Sequence, residues 1–148
     1  KAAIEVWGRK PDLSLSDTGD LPTDTSAAGT LKVGHKRGSM WIDHYLKTQH
    51  HTETIQVVDV PMGMKMLGGG RLDLYVGIGP QIGFAISKFN LQDRVYRVGT
   101  LATLDLYPYL NIRHSALANP LAQQLNILVK EKRAIMEKWN NSPTETEN

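Results

Sequence analysis

The most constraining feature of the sequence is an alternation of two hydrophobic periods between residues 31 and 106. β-branched runs such as TIQVVDV predict strands, and segments with apolar residues every three or four positions predict helices. The predicted strands cover residues 31–35, 54–60, 72–76, 95–98 and 102–106, and the predicted helices cover 39–49, 61–67 and 80–89. This order is typical of an α/β domain with a mainly parallel sheet and helices on both faces.

The two ends of the chain lie outside this alternation. AAIEVW predicts a further strand over residues 2–7. Residues 8–29 are rich in Pro, Asp, Ser, Thr and Gly, which indicates a long exposed connection. Residues 119–140 predict the longest helix, and the polar tail SPTETEN follows it.

The composition excludes several classes of protein. A net charge of +2, from 17 basic and 15 acidic residues, is too balanced to indicate nucleic-acid binding. No apolar run approaches the roughly 20 residues needed to span a bilayer. Without cysteine the chain cannot form disulfides or thiolate zinc sites. His44 and the His50-His51 pair lack a carboxylate partner at metalloprotease spacing. We therefore expect no metal and no other cofactor.

The turn Arg37-Gly38-Ser39 joins a predicted strand to a predicted helix. Free backbone N–H groups at the start of a helix favour an anion, here those of Ser39 and Met40. Gly38 would permit close approach, and the Arg37 guanidinium could bind a carboxylate or phosphate through two hydrogen bonds. The alternative is an ordinary serine cap beside a surface arginine.

A second turn, GIGPQIG, also follows a strand and opens a helix. It lacks the GxGxxG spacing, so it does not predict dinucleotide binding. Gly77, Ile78 and Gly79 would let the backbone approach a small ligand, and Gln81 could offer its amide. Right-handed crossovers place both turns on one edge of a parallel sheet. The sequence therefore predicts one site formed by the two turns.

Three stretches together resemble bacterial periplasmic solute-binding proteins of family 3, the polar amino-acid type. They are LKVGHKRGS, MKMLGGGRLDLYVG and NPLAQQLNILVKEKRAIMEKW. The resemblance implies one lobe of a two-lobed (type II) clamshell, in a partial chain without most of the first lobe. It divides the chain into a hinge strand with a polar connection (residues 1–30), a ligand-binding lobe (31–105), and a returning hinge segment with the last helix and tail (106–148).

The same resemblance implies non-catalytic binding of a small polar solute, as the periplasmic substrate-binding component of an ABC-type transporter with a membrane permease as partner. Its ligand turn corresponds to Arg37-Gly38-Ser39-Met40. The aspartate that holds the ligand ammonium in the family falls at Gly77 or Ile78, neither of which is a carboxylate. The resemblance to amino-acid-binding proteins therefore does not assign an α-amino acid here, and we expect a small polar, anionic solute. We also expect possible self-association through the last helix.

Three alternatives stay open at this point. The same kind of lobe can serve as the sensor domain of a membrane receptor. A few members of the superfamily are dehydratases, and His35 with Asp59 is the acid/base pair that such an activity would use here. The chain could also be an assembly element that completes a neighbouring protein through Trp7 and the last helix.

Overall fold

A computed structural model describes residues 1–22, 30–105 and 109–140 of the chain, with side chains up to residue 132. The chain divides into two compact units, residues 1–106 and 107–148. The first unit contains β1 (Ala2–Gly8), β2 (Leu31–Lys36), α1 (Met40–Lys47), β3 (Thr52–Val57), α2 (Val60–Gly68), β4 (Leu74–Ile78), α3 (Gly79–Lys88) and β5 (Tyr96–Leu104). The second contains a 3-10 helix (Ile112–Leu117) and α4 (Ala118–Asn140).

The five strands form one sheet in the order β3-β2-β4-β1-β5. β2 pairs in parallel with β3 and β4, whereas β1 pairs antiparallel with β4 and β5. Four strands therefore point the same way and β1 is reversed between two of them. The α/β prediction is confirmed, and the parallel part of the sheet is the part that carries the predicted turns.

Helices cover both faces of the sheet, as predicted. Residues of β4 alternate between two cores, because successive strand side chains point to opposite faces. Leu74 and Val76 belong to the core that includes α1, and Tyr75 belongs to the core that includes α2 and α3. Central strands buried on both faces explain why the sequence shows apolar runs rather than strict alternation.

Three of the predicted strands end elsewhere or are joined in the structure. The strand expected over 54–60 ends at Val57, because the Asp59 carboxylate accepts a hydrogen bond from the backbone N–H of Met62 at 2.7 Å and begins α2. The strands expected over 95–98 and 102–106 form one strand, β5, as far as Leu104. Pairing with β1 continues through two register shifts, so no break separates them. Residues 23–29, 106–108 and the tail at 141–148 lie outside the described residues.

The first strand, expected as a hinge, pairs with β4 and β5 in the sheet of the first unit. The boundaries of the three predicted segments themselves stay a prediction. Among the described residues, no helix is long and apolar enough to cross a membrane. The described part of the chain also contains no group of three His, Cys, Asp or Glu side chains that could hold a metal ion.

Candidate ligand-binding site

A cavity of about 150 Å³ lies where the turns after β2 and β4 meet. Parallel pairing of β2 with β4 brings the carboxyl ends of the two strands to one edge, which is where ligands bind in open α/β sheets. The lining residues are Lys36, Arg37, Gly38, Ser39, Ile42, Val60, Tyr75, Gly77, Ile78 and Gln81. Six of the eight predicted site residues thus line one cavity. That they bind a ligand stays a prediction.

The first turn leaves hydrogen-bonding groups available at the start of α1. Gly38 has a φ of +81°, a conformation that side-chain-bearing residues rarely adopt. The backbone N–H of Ser39 donates to the Lys36 carbonyl oxygen at 3.3 Å. Ser39 occupies the N-cap position as predicted, yet its hydroxyl makes no capping hydrogen bond. The first N–H groups of α1 have no intrahelical partner, so the turn presents positive partial charge and a hydroxyl.

Two of the predicted site residues do not line the cavity. Met40 is 82% exposed and does not line the cavity, and the group named in the prediction is its backbone N–H. Gly79 is buried at the start of α3, where the Glu5 carboxylate lies against it. An added Cβ at Gly79 would come within 2.7 Å of Glu5 Cδ. The space beside Gly79, where we expected a ligand to approach, is therefore filled by a carboxylate of the protein itself.

Glu5 is fixed at that position by two further contacts. The Trp7 Nε1–H donates to Glu5 Oε2 at 2.9 Å, and the Arg97 Nε lies 3.4 Å from Glu5 Oε1. The side chain of Glu5 is mostly buried, and a carboxylate near the start of a helix is electrostatically favourable. Glu5 and Gly79 lie far apart in the sequence, so no local pattern linked Glu5 to the turn at Gly79.

Four lining residues were not predicted: Lys36, Ile42, Val60 and Tyr75. Lys36 adds a second cation beside Arg37. Its position next to Arg37 in the sequence could have identified it as a lining residue. Ile42 and Val60 are buried core residues that supply apolar walls. Tyr75 is buried near the start of β4, inside an apolar run that predicted only a strand. Burial, and to a smaller extent the charge of Asp59, raise the pKa of the Tyr75 hydroxyl.

The charges around the cavity are one-sided. Among the described residues, Lys36 and Arg37 line it and no carboxylate does. The carboxylate of Asp59 accepts its hydrogen bond from Met62 at the start of α2. Asp43 Oδ1 accepts a hydrogen bond from Gln56 Nε2 at 3.0 Å. Lys36 and Arg37 therefore contribute positive potential to the cavity at the first turn.

The structure does not bring His35 and Asp59 together as an acid/base pair. His35 is fully buried on β2, and its Nε2 lies 3.1 Å from Asp43 Oδ1, close enough for an ion pair but not aligned as a hydrogen bond. Its Nδ1 lies 3.1 Å from the Lys36 carbonyl oxygen. Both ring nitrogens therefore face groups other than Asp59. The contacts of His35 tie α1 to the sheet.

A second cavity, of about 160 Å³, lies at the opposite ends of the same strands. Arg9, Leu31 and Asp73 are among its lining residues. The Asp73 carboxylate accepts a hydrogen bond from the backbone N–H of Lys32 at 2.8 Å, and the Asp73 backbone N–H donates to the Lys32 carbonyl oxygen at 2.9 Å. Its carboxylate is thus used to join the segment before β4 to β2.

No sequence-family model matches the chain, and a comparison with curated proteins gives no match either. Solved structures, in contrast, share its fold. The chain is similar to an ancestral arginine-binding protein bound to glutamine, with 22% identity and a TM-score of 0.63 over 96% of this chain and 61% of that one. It is also similar to a histidine kinase sensor domain that resembles periplasmic binding proteins, with 16% identity and a TM-score of 0.65 over 95% of this chain and 59% of that one.

A third similar structure is the ligand-binding core of GluR0 from Nostoc punctiforme in complex with L-glutamate. It shows 20% identity and a TM-score of 0.65 over 95% of this chain and 62% of that one. The chain therefore spans 59% to 62% of the length of these three structures. At these identities the comparison establishes the fold, and the expected likeness to periplasmic binding proteins is confirmed at that level.

Proposed function

We propose that this chain forms part of a cleft that binds a small anionic solute without catalysis. We assign it to the periplasm, as the substrate-binding component of an ABC-type transporter that delivers the solute to a membrane permease. The observation that carries the binding proposal is the cavity at the ends of β2 and β4, with two cations, the start of α1 and no lining carboxylate. The similar structures include an arginine-binding protein and a ligand-binding core in complex with L-glutamate. This similarity supports a role in small-molecule recognition.

The binding step follows from the geometry. An acidic group would enter between the turns, with the Arg37 guanidinium and the Ser39 hydroxyl as charged and neutral donors. The free N–H groups at the start of α1 would add further donors, because they point away from the helix body. Gln81 would supply an amide from the other turn. No covalent step is required.

Release and capture would depend on a second lobe. Contacts from two lobes to one ligand favour a closed state by population shift. A chain that supplies one side of the cleft should bind more weakly than a complete clamshell, since part of the contact surface is missing. Titrations therefore need ligand concentrations in the millimolar range.

Titration of the chain with matched acids tests the proposal. The probes form three sets with matched carbon skeletons: acetate, glycolate and glycine; propionate, L-lactate and L-alanine; and succinate, L-malate and L-aspartate. Binding is measured from the changes in amide chemical shifts in NMR spectra. We expect the acids without an ammonium group to bind, and the amino acids of each set to bind more weakly. Arg37→Ala should weaken binding at least about tenfold, the effect of losing a hydrogen bond to a charged group.

Arg94→Ala is the matched control for the charge, because Arg94 is exposed and outside the cavity. It should leave the affinity unchanged. If no probe binds, or if the two arginine variants bind alike, the proposal is wrong.

A sensor role is the second candidate, and the fold shared with the histidine kinase sensor domain supports it. The gene that encodes the chain separates the two roles. A transmembrane helix followed by a signalling domain in the same open reading frame would favour the sensor. A separate gene beside a permease gene would favour transport.

We propose no dehydratase activity, because His35 and Asp59 each have other partners. Incubation with the hydroxy acids above, followed by mass spectrometry, would detect a dehydrated product. Self-association through the last helix also stays a proposal. The described part of α4 exposes Leu121, Ile127 and Leu128, and the molar mass in solution tests whether they join two copies.

A further inference from the structure

The ring of Tyr75 occupies a space that three glycines leave open. An added Cβ at Gly63 of α2 would lie 2.8 Å from Tyr75 Cδ2 and 2.9 Å from Cζ, both shorter than a normal contact. A Cβ added at Gly34 would lie 3.1 Å from the Tyr75 ring, and a Cβ added at Gly77 would lie 3.0 Å from it. The ring is therefore enclosed by β2, α2 and the end of β4, and its position is fixed.

The hydroxyl at the end of this ring has no hydrogen-bond partner among the described residues. Tyr75 is fully buried, and the residue forms part of the cavity lining. A buried hydroxyl without a partner is unfavourable, and such groups in native structures call for an explanation. A phenylalanine would fill the same space without that disadvantage. The hydroxyl group itself therefore requires a reason.

We propose that the Tyr75 hydroxyl is a specificity-determining contact, which hydrogen-bonds a hydroxyl or carbonyl oxygen of the anionic ligand. The inference rests on the proposed function and names the ligand class, a hydroxy or oxo carboxylic acid. The phenol oxygen is closed to solvent. Contact with a ligand therefore requires a lining side chain other than the enclosed Tyr75 ring to move aside. A phenol both donates and accepts hydrogen bonds, so either oxygen type satisfies it.

The arrangement of the cavity supports this class of ligand. Arg37 and Ser39 take the carboxylate at the first turn, and Tyr75 lies on β4 below the second turn. The cavity offers no carboxylate to an ammonium group, so an amino acid would enter with its charge unpaired. A neutral oxygen at the same carbon carries no such penalty. The hydroxyl of Tyr75 would then discriminate a hydroxy acid from the acid that lacks this oxygen.

The test compares Tyr75→Phe with the wild-type chain, using glycolate against acetate, L-lactate against propionate and L-malate against succinate. In the wild type, at least one hydroxy acid should bind roughly tenfold more tightly than its partner, the factor expected for one hydrogen bond. In Tyr75→Phe this ratio should fall to about one, while the acid without the hydroxyl keeps its affinity. Addition of the hydroxy acid should also change the tyrosine ultraviolet spectrum, and Tyr75→Phe should remove that change.

Tyr45→Phe is the matched control. The Tyr45 hydroxyl donates to the Gly19 carbonyl oxygen at 2.8 Å, and Tyr45 does not line the cavity. This variant should lower Tm and leave the affinity ratio and the spectral change intact. Tyr75→Phe should not lower Tm, because its hydroxyl has no partner to lose.

The outcomes separate this inference from the proposed function. If acids bind and depend on Arg37, but Tyr75→Phe keeps the wild-type ratio, the inference is overturned and the proposed function stands. If neither the hydroxy acids nor the corresponding oxo acids (glyoxylate, pyruvate and oxaloacetate) bind better to the wild type than the acids without that oxygen, the inference is likewise overturned. If no acid binds, both fail together.

Discussion

Replacing Gly63 with alanine tests the packing of Tyr75 directly. Gly63 lies within α2, so alanine suits its backbone and would normally stabilise the helix by about 1 kcal/mol. The new methyl group, however, would overlap Cε2 of the Tyr75 ring and come within 2.8 Å of Cδ2. The ring cannot move away easily, since Gly34 and Gly77 also border it.

The two effects oppose each other, and the overlap should dominate. Overpacking a core typically costs about 1–3 kcal/mol, and an enclosed ring places this site at the upper end. Subtracting the gain of about 1 kcal/mol from replacing glycine by alanine in a helix leaves a net loss of about 2 kcal/mol in the free energy of unfolding. For a chain of this size that corresponds to a fall in Tm of about 4–8 °C.

Gly83→Ala is the control with the same chemical change. Gly83 lies within α3, is exposed and has no atom within 4 Å of an added Cβ. It should gain about 0.5–1 kcal/mol in urea unfolding, so the two variants should change stability in opposite directions. In a Tyr75→Val background, Gly63→Ala should cost less. Equal effects of the two glycine substitutions would show that the ring does not occupy the position described.

Two further predictions concern side chains outside the cavity. Burial raises the pKa of the Tyr45 hydroxyl to about 12, so the folded state holds this proton more tightly than the unfolded state. The resulting contribution to the free energy of unfolding is fully present below pH 10, and it is lost as pH rises through about 12. Urea unfolding from neutral pH to about 12 should show the difference between wild type and Tyr45→Phe shrinking over that window, and a constant difference would refute it. Asp43→Ala should cost about 1–3 kcal/mol, because Gln56 and the buried His35 lose their partner. The exposed Asp17→Ala should stay within about 0.5 kcal/mol, and thermal unfolding that ranks the two aspartates alike would contradict this account.

The alternation of strands and helices was readable from the sequence because each element has its own hydrophobic period. The reversal of β1 was not, since AAIEVW predicts a strand but carries no information on its neighbours or direction. The end of β3 was also misplaced, because Val58 and Val60 extend a β-branched run beyond the point where Asp59 caps α2. Local capping determined that boundary, and hydrophobic pattern did not.

Much of the candidate site was predictable because parallel strands end at one edge of a sheet. Turn residues such as Arg37 and Gln81 could therefore be placed together without knowing any distance. The carboxylate of Glu5 beside Gly79 was not foreseen, because it comes from a distant part of the chain, and the ligand-binding role of Gly79 stays a prediction. Tyr75 was overlooked for a different reason: in an apolar strand, a tyrosine with a hydrogen-bonded hydroxyl and one without are identical in sequence.

The place of β1 in the sheet sets an order on synthesis and folding. Ile4 pairs with Ile78 on one side and Ala102 on the other, so β1 has neither neighbour strand until most of the first unit has been synthesised. Contacts this distant in sequence slow folding, and an apolar strand waiting for its partners can pair wrongly. Chaperone dependence in the cell should therefore be greater for this chain than its modest length suggests.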